Sequence, residues 1–188
     1  MAYINLEKDI PGIRSLVMFR PETGTHLYSL AQVLLRGESP LSPAQRELIA
    51  AYVSHRNHCN FCSRSHAAAA RCLYEDSQYV VDETLNDLET SSLSEKMKAL
   101  LTIAALTGKS GKLVTAEIIE KAKAEGATDI EIHDTVLIAA LFSLYNRYVD
   151  GMATAMPDDN GYFTMLADRL VNHGYSRLPQ GYDHLKEH

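Results

Sequence analysis

The chain has 188 residues, 46% apolar and 22% charged, with a formal net charge of −6. Those proportions belong to a folded globular domain and exclude a disordered or fibrous chain. The acidic balance argues against a sequence-independent grip on nucleic acid or an anionic membrane surface. No apolar run reaches the roughly 18 residues of a membrane span. Met1 to Asp9 lacks the basic start and apolar stretch of a signal peptide. The expectation is a cytoplasmic protein. There, a cysteine pair is more often catalytic or redox-sensing than structural. The chain has 3 cysteines, an odd count that fits no closed disulfide framework, and two of them stand as Cys59-Asn60-Phe61-Cys62.

In chain order the punctuation reads as helices. Thr25 is placed to cap a helix over about 26–36, ended by Gly37. Ser42-Pro43-Ala44-Gln45 combines an N-cap, Pro at the first helical position and Gln at the third, and Leu48, Ile49, Tyr52 and Val53 follow at helical spacing. Asn57 is the next candidate cap, for a helix over about 59–73 that contains the alanine run from Ala67 to Ala70. A weaker helix is expected over 77–88, with Tyr79-Val80-Val81 the nearest approach to a strand pattern.

Ser92-Leu93-Ser94-Glu95 reads as a capping box opening a helix over 95–107, ended by Gly108 and Gly111. Thr115 starts a short helix closed by Gly126, and Thr128 to Glu131 is a further capping box. It opens the longest apolar stretch, 132–149, with Val136, Leu137, Ala140, Leu141 and Leu144 on one face; that stretch is expected to be buried on most sides. A last helix is expected over 161–172, stopped by Gly174, with an irregular tail from Tyr175. The fold class is all-α. One domain is expected, with a core over about 42–152, helical extensions at both ends, and a bundle completed by homo-oligomerisation.

Cysteines three apart at a helix start lie one turn apart on one face, with Cα atoms roughly 5 Å apart and within disulfide reach. The helix N-terminus favours thiolate over thiol. His66, four residues after Cys62, shares that face as a base or hydrogen-bond partner. Glu47 lies twelve residues before Cys59, about 18 Å away along a continuous helix. It reaches the cysteines only if the chain turns between His55 and Cys59. Cys72 lies ten residues beyond Cys62, roughly 15 Å along the helix, and is expected to be a small buried hydrophobe.

Glu47, Ser54, Asn57, Cys59, Cys62 and His66 stand as E-x6-S-x2-N-x-C-x2-C-x3-H. This resembles the core motif of the alkylhydroperoxidase AhpD-like family within the carboxymuconolactone decarboxylase superfamily, closest to its peroxidase-related subgroup. The resemblance implies an all-helical, oligomeric thiol peroxidase (dimer, trimer or hexamer) that needs no cofactor. It implies Cys62 as peroxidatic cysteine, Cys59 as resolving cysteine, and a Glu47/His66 proton relay in which Glu47 serves Cys59 and His66 serves Cys62. Ser54 and Asn57 would support the site. A thioredoxin-like or dihydrolipoyl-protein partner would reduce the disulfide formed when a hydroperoxide substrate is consumed. The family's best-studied members carry a His between the two cysteines, where this chain has Phe61; His58 is the nearest substitute.

Two other readings accompany this one. Cys59, Cys62 and His66, with His58 or Glu47 as a fourth ligand, also make a zinc pattern, although no second ligand pair exists in the chain. A carboxymuconolactone-decarboxylase-like enzyme on the same scaffold would be non-redox and would not need the cysteine pair.

Overall fold

The Ser42 box forms as read: Ser42 Oγ accepts from the Gln45 amide while Gln45 Oε1 accepts from the Ser42 amide. It opens a helix in which every residue from Arg46 to Ser54 is buried. The structure is a computed structural model that describes residues 2–6, 10–157, 159 and 161–175. Among them every regular element is helical. The α-helices are α1 (Ile13–Phe19), α2 (Pro21–Arg36), α3 (Pro43–Arg56), α4 (Asn60–Tyr74), α5 (Tyr79–Asn86), α6 (Glu95–Lys109), α7 (Ala116–Ala124), α8 (Asp129–Gly151) and α9 (Gly161–His173).

The helix pair α3–α4 is the centre of the molecule. Its small residues Ala50, Ala51, Ala67, Ala69 and Ala70 are all buried and let the two backbones approach closely. Helix α8 packs across α3, α6 packs on both, and α9 lies along α4 through Phe163, Leu166, Ala167 and Leu170. Gly108 sits inside α6 rather than ending it; a Cβ there would come within 3.2 Å of Val53, so the missing side chain lets α6 close on α3. One connected apolar core runs from Leu16 to Tyr175. No helix among the described residues is long and apolar enough to cross a membrane.

Several local expectations are corrected. Helix α2 begins at Pro21, so Thr25 lies inside it and its hydroxyl donates back to the Pro21 carbonyl. The cap of α6 is Ser94, not Ser92; the Ser92 amide and hydroxyl both donate to Glu83. Tyr79-Val80-Val81 opens α5 within the helix expected over 77–88, as read, and Val80 and Val81 bury one helical face. The Thr128 box forms, but α8 is not buried all round. Its inner face is Thr135, Ile138, Ala139, Phe142, Tyr145, Asn146 and Val149, whereas Ala140 is exposed and Leu144 is 47% exposed. The helix enclosed on all sides is α3. Cys72 is exposed, because the stripe of α4 that meets α3 and α9 ends at Ala70 and position 72 has rotated away from it. Of the tail expected to be irregular, 176–188 lies outside the described residues.

Candidate functional site

The break demanded between His55 and Cys59 is present. Helix α3 ends at Arg56 with Asn57 as its C-cap, and Cys59, not Asn57, is the N-cap of α4. The His58 amide donates to the His55 carbonyl at 3.0 Å and the Cys59 amide to the Ser54 carbonyl at 3.0 Å. These two bonds are a Schellman motif, with His58 at the position normally given to glycine and a φ of 61°. The turn reverses the chain within three residues, so Glu47, well back from the end of α3, meets His66 on α4.

Glu47 is fully buried and accepts from three donors. Its Oε2 is 2.7 Å from His66 Nδ1; its Oε1 accepts from Arg36 Nη2 at 2.6 Å and from the Tyr175 hydroxyl at 2.6 Å. Burial pushes the Glu47 carboxyl up, but the His66 bond and charge, the Arg36 charge and the Tyr175 bond outweigh it and hold the carboxyl below its ordinary value. With Glu47 ionised, His66 Nδ1 must carry the hydrogen it shares with that carboxylate. In the neutral ring, Nε2 is then left with its lone pair, the arrangement of a general base oriented by a carboxylate. The His66 ring is fixed further by Phe142, edge-on at 4.4 Å, and by Tyr175, stacked at 6.1 Å.

Arg36 and Tyr175 were not singled out by the sequence pattern. Arg36 also donates to the Leu170 carbonyl near the end of α9, at 3.3 Å from Nε and 3.1 Å from Nη2, and its guanidinium lies over the Tyr175 ring. The Tyr175 amide donates to Gln32 Oε1 at 2.6 Å just after the left-handed Gly174. Burial and the Glu47 charge raise the Tyr175 phenol well above its ordinary value, so it stays a neutral donor.

Cys59 and Cys62 are free, buried and near each other, and both Cys59 and the Asn146 side chain act on the Cys62 thiol. Both cysteines belong to the apolar core, and the Asp150 charge also acts on Cys62. Asn146 Nδ2 donates to Ser54 Oγ at 3.0 Å and Asn57 Nδ2 donates to Asn146 Oδ1 at 2.9 Å, tying α3 to α8 beneath the sulfurs. Asn146 is therefore part of the cysteine environment. The expected lowering of the Cys62 thiol by the helix N-terminus is reversed in this state: the bond with Cys59 and burial push it well up, with Asn146 opposing. Beside this group a polar opening of about 620 Å³, solvent at its mouth included, is lined by Asn57, Asn146, Arg147, Asp150 and Gly151.

The sequence-predicted residues are thus brought to one region but divided differently. Glu47 bonds to Arg36, Tyr175 and His66 rather than to Cys59, so carboxylate and imidazole stand in series. His58 is exposed at the turn. Phe61 points away from the sulfurs and packs against Tyr162 and Phe163, with its ring over Gly12. Among the described residues no group of three or more His, Cys, Asp or Glu side chains is arranged to hold a metal ion. Glu47, held by Arg36, Tyr175 and His66, is not placed as a fourth ligand.

Residues 21–74 match the model of the carboxymuconolactone decarboxylase family. No curated protein matches the chain. Among solved structures, an uncharacterized peroxidase-related protein from Silicibacter sp. TM1040 superimposes with a TM-score of 0.73 at 27% identity, over 82% of this chain and 79% of that one. A second, described as an alkylhydroperoxidase AhpD core and uncharacterized peroxidase-related protein from Ralstonia eutropha JMP134, superimposes with a TM-score of 0.74 at 23% identity, over 84% of this chain and 81% of that one. These matches agree with the resemblance drawn from the motif: the chain has the AhpD-like all-α fold, and its segment 21–74 is similar to the carboxymuconolactone decarboxylase family.

Proposed function

We propose that the protein is a thiol peroxidase that reduces hydroperoxides through a Cys59–Cys62 disulfide cycle. The observation that carries this reading is the 2.7 Å Glu47–His66 bond, which makes His66 a base one helical turn beyond a buried pair of nearby thiols. Because burial and Cys59 hold Cys62 as a thiol at rest, its activation requires a proton acceptor, and His66 shares its helical face. The Cys62 proton passes to His66 Nε2, directly or through water, and the thiolate attacks the distal peroxide oxygen. The O–O bond breaks, the alkoxide takes the proton back as an alcohol, and Cys62 becomes a sulfenic acid. Cys59 then attacks the Cys62 sulfur, water leaves with the Cys59 proton, and the disulfide forms. A thioredoxin-like or dihydrolipoyl protein returns two electrons. The cycle suits a reducing, cytoplasmic compartment and a homo-oligomeric enzyme.

A thiol titration before and after one equivalent of cumene hydroperoxide tests the reading. The wild type should lose two thiols and Cys62→Ser none. A wild type that consumes no peroxide and keeps all its thiols sinks the proposal.

A further inference from the structure

Two side chains that carry positive charge meet the Glu47 carboxylate, and only one of them must be charged there. His66 Nδ1 is on Oε2 and Arg36 Nη2 is on Oε1, while the Tyr175 hydroxyl adds a neutral donor to Oε1. The Glu47 side chain is 0% exposed, and those of Arg36 and His66 are 11% and 10% exposed, so an unbalanced charge in this cluster would be costly. Arg36 is always protonated. Ionised Glu47, Arg36 and a neutral His66 sum to zero, whereas a protonated ring would leave one positive charge over. Further ionisable side chains around the cluster are Arg14, Tyr28 and Arg169 at the crevice beside the ring, Tyr145 on α8, and Arg46 on α3, whose charge Asp134 offsets.

Arg36 is held in place from outside its own helix. Its Nε and Nη2 donate to the Leu170 carbonyl at 3.3 and 3.1 Å, and its guanidinium lies 5.2 Å from the centre of the Tyr175 ring. Gly174 turns the chain after α9 with a φ of 65°, and a Cβ there would collide with Gln32 Oε1, the acceptor of the Tyr175 amide. We propose that Arg36, clamped by α9 and Tyr175, is a positioning residue of the peroxidase: by balancing buried Glu47 it leaves His66 uncharged, with Nε2 free to take the Cys62 proton. The catalytic role rests on the peroxidase reading; the charge assignment does not. Without Arg36 the cluster takes up one proton, and wherever it lands the base is lost. On the ring it makes an imidazolium. On Glu47 it makes a carboxylic acid that donates to Nδ1, which moves the ring hydrogen to Nε2.

The test reads the His66 ring by nitrogen NMR in the reduced protein at neutral pH, and thiol loss to cumene hydroperoxide in a single turnover. Wild type should carry a hydrogen on Nδ1 and none on Nε2. Arg36→Gln should carry one on Nε2 and lose thiols about a hundredfold more slowly, the low end of what a general base contributes. Arg36→Lys keeps the charge and should restore part of both. Tyr175→Phe removes one neutral bond and leaves the Arg36 charge, so it should slow the reaction less than Arg36→Gln. A wild-type ring protonated on Nε2 overturns the proposal even where Arg36→Gln does not fold. An Arg36→Gln protein with Nε2 bare and the wild-type rate overturns it too, as does a Tyr175→Phe effect equal to that of Arg36→Gln. Each of these leaves the peroxidase reading standing while the wild type consumes peroxide. If the wild type consumes none, that reading and the catalytic role of Arg36 fail together, and the ring spectra alone decide whether Arg36 balances Glu47.

Discussion

The two sides of the site solve opposite electrostatic problems. On one, Glu47 is an ion buried completely and compensated by three donors, Arg36, His66 and Tyr175, drawn from α2, α4 and the segment after α9. On the other, the Cys62 thiol is pushed up by Cys59 and by burial, close to the amide and hydroxyl network of Asn146, Asn57 and Ser54. The first arrangement fails badly if one partner is lost, because the remaining charges stay buried. The second tolerates exchange, because no charge is stranded. Stability should therefore concentrate at Glu47 and redox chemistry at the cysteines, although the proposed reaction needs both.

The largest effect is expected from setting Glu47→Ala against Cys62→Ser. Removing the carboxylate should cost about 3–5 kcal/mol in urea unfolding. Cys62→Ser should cost about 1 kcal/mol or less, since it changes one atom and strands no charge, while abolishing thiol loss to peroxide. Equal losses of stability in the two variants would erase the contrast.

Acid should act on the carboxylate side alone. The folded Glu47 carboxyl is held below its ordinary value of 4.5, so the unfolded chain binds the proton more readily. The stability from ionised Glu47 is fully present above about that value and is lost as pH falls through the lower, folded one. Urea midpoints measured from pH 6 downward should show this decline in wild type and a flatter one in Glu47→Gln; identical slopes would place the acid sensitivity elsewhere.

Tyr175→Phe removes one bond to a buried ion and should cost about 1.5–3 kcal/mol. It should also move the pH profile of peroxide consumption, which a purely structural loss would leave in place. The smallest change concerns the hinge between the two sides. His58→Gly relieves a left-handed residue at the Schellman position and should raise stability by about 0.5–1 kcal/mol with thiol chemistry unchanged. A loss of stability there would mean that the His58 side chain supports the turn.

The cysteine pair, His66 and the capping boxes at Ser42 and Thr128 were legible because each is a local pattern whose geometry the helix itself supplies. The hinge was legible only as a requirement, since its left-handed position is filled by His58 in place of glycine. Arg36 and Tyr175 carried no signal: they lie 11 and 128 residues from Glu47, and no spacing rule connects them. The exposure of Leu144 and Cys72 was misread for a related reason, as hydrophobic pattern says which faces are apolar but not how many neighbours arrive to cover them.

The 3 cysteines and the acidic composition determined, before any fold was known, that this is a globular chain with one reactive-looking pair. Only tertiary structure decided which groups hold Glu47 ionised, that Cys62 rests as a thiol, and that Cys72 faces outward. The reason is that hydrogen-bond partners and desolvation come from elements distant in sequence, and those two quantities set the protonation states on which the chemistry depends.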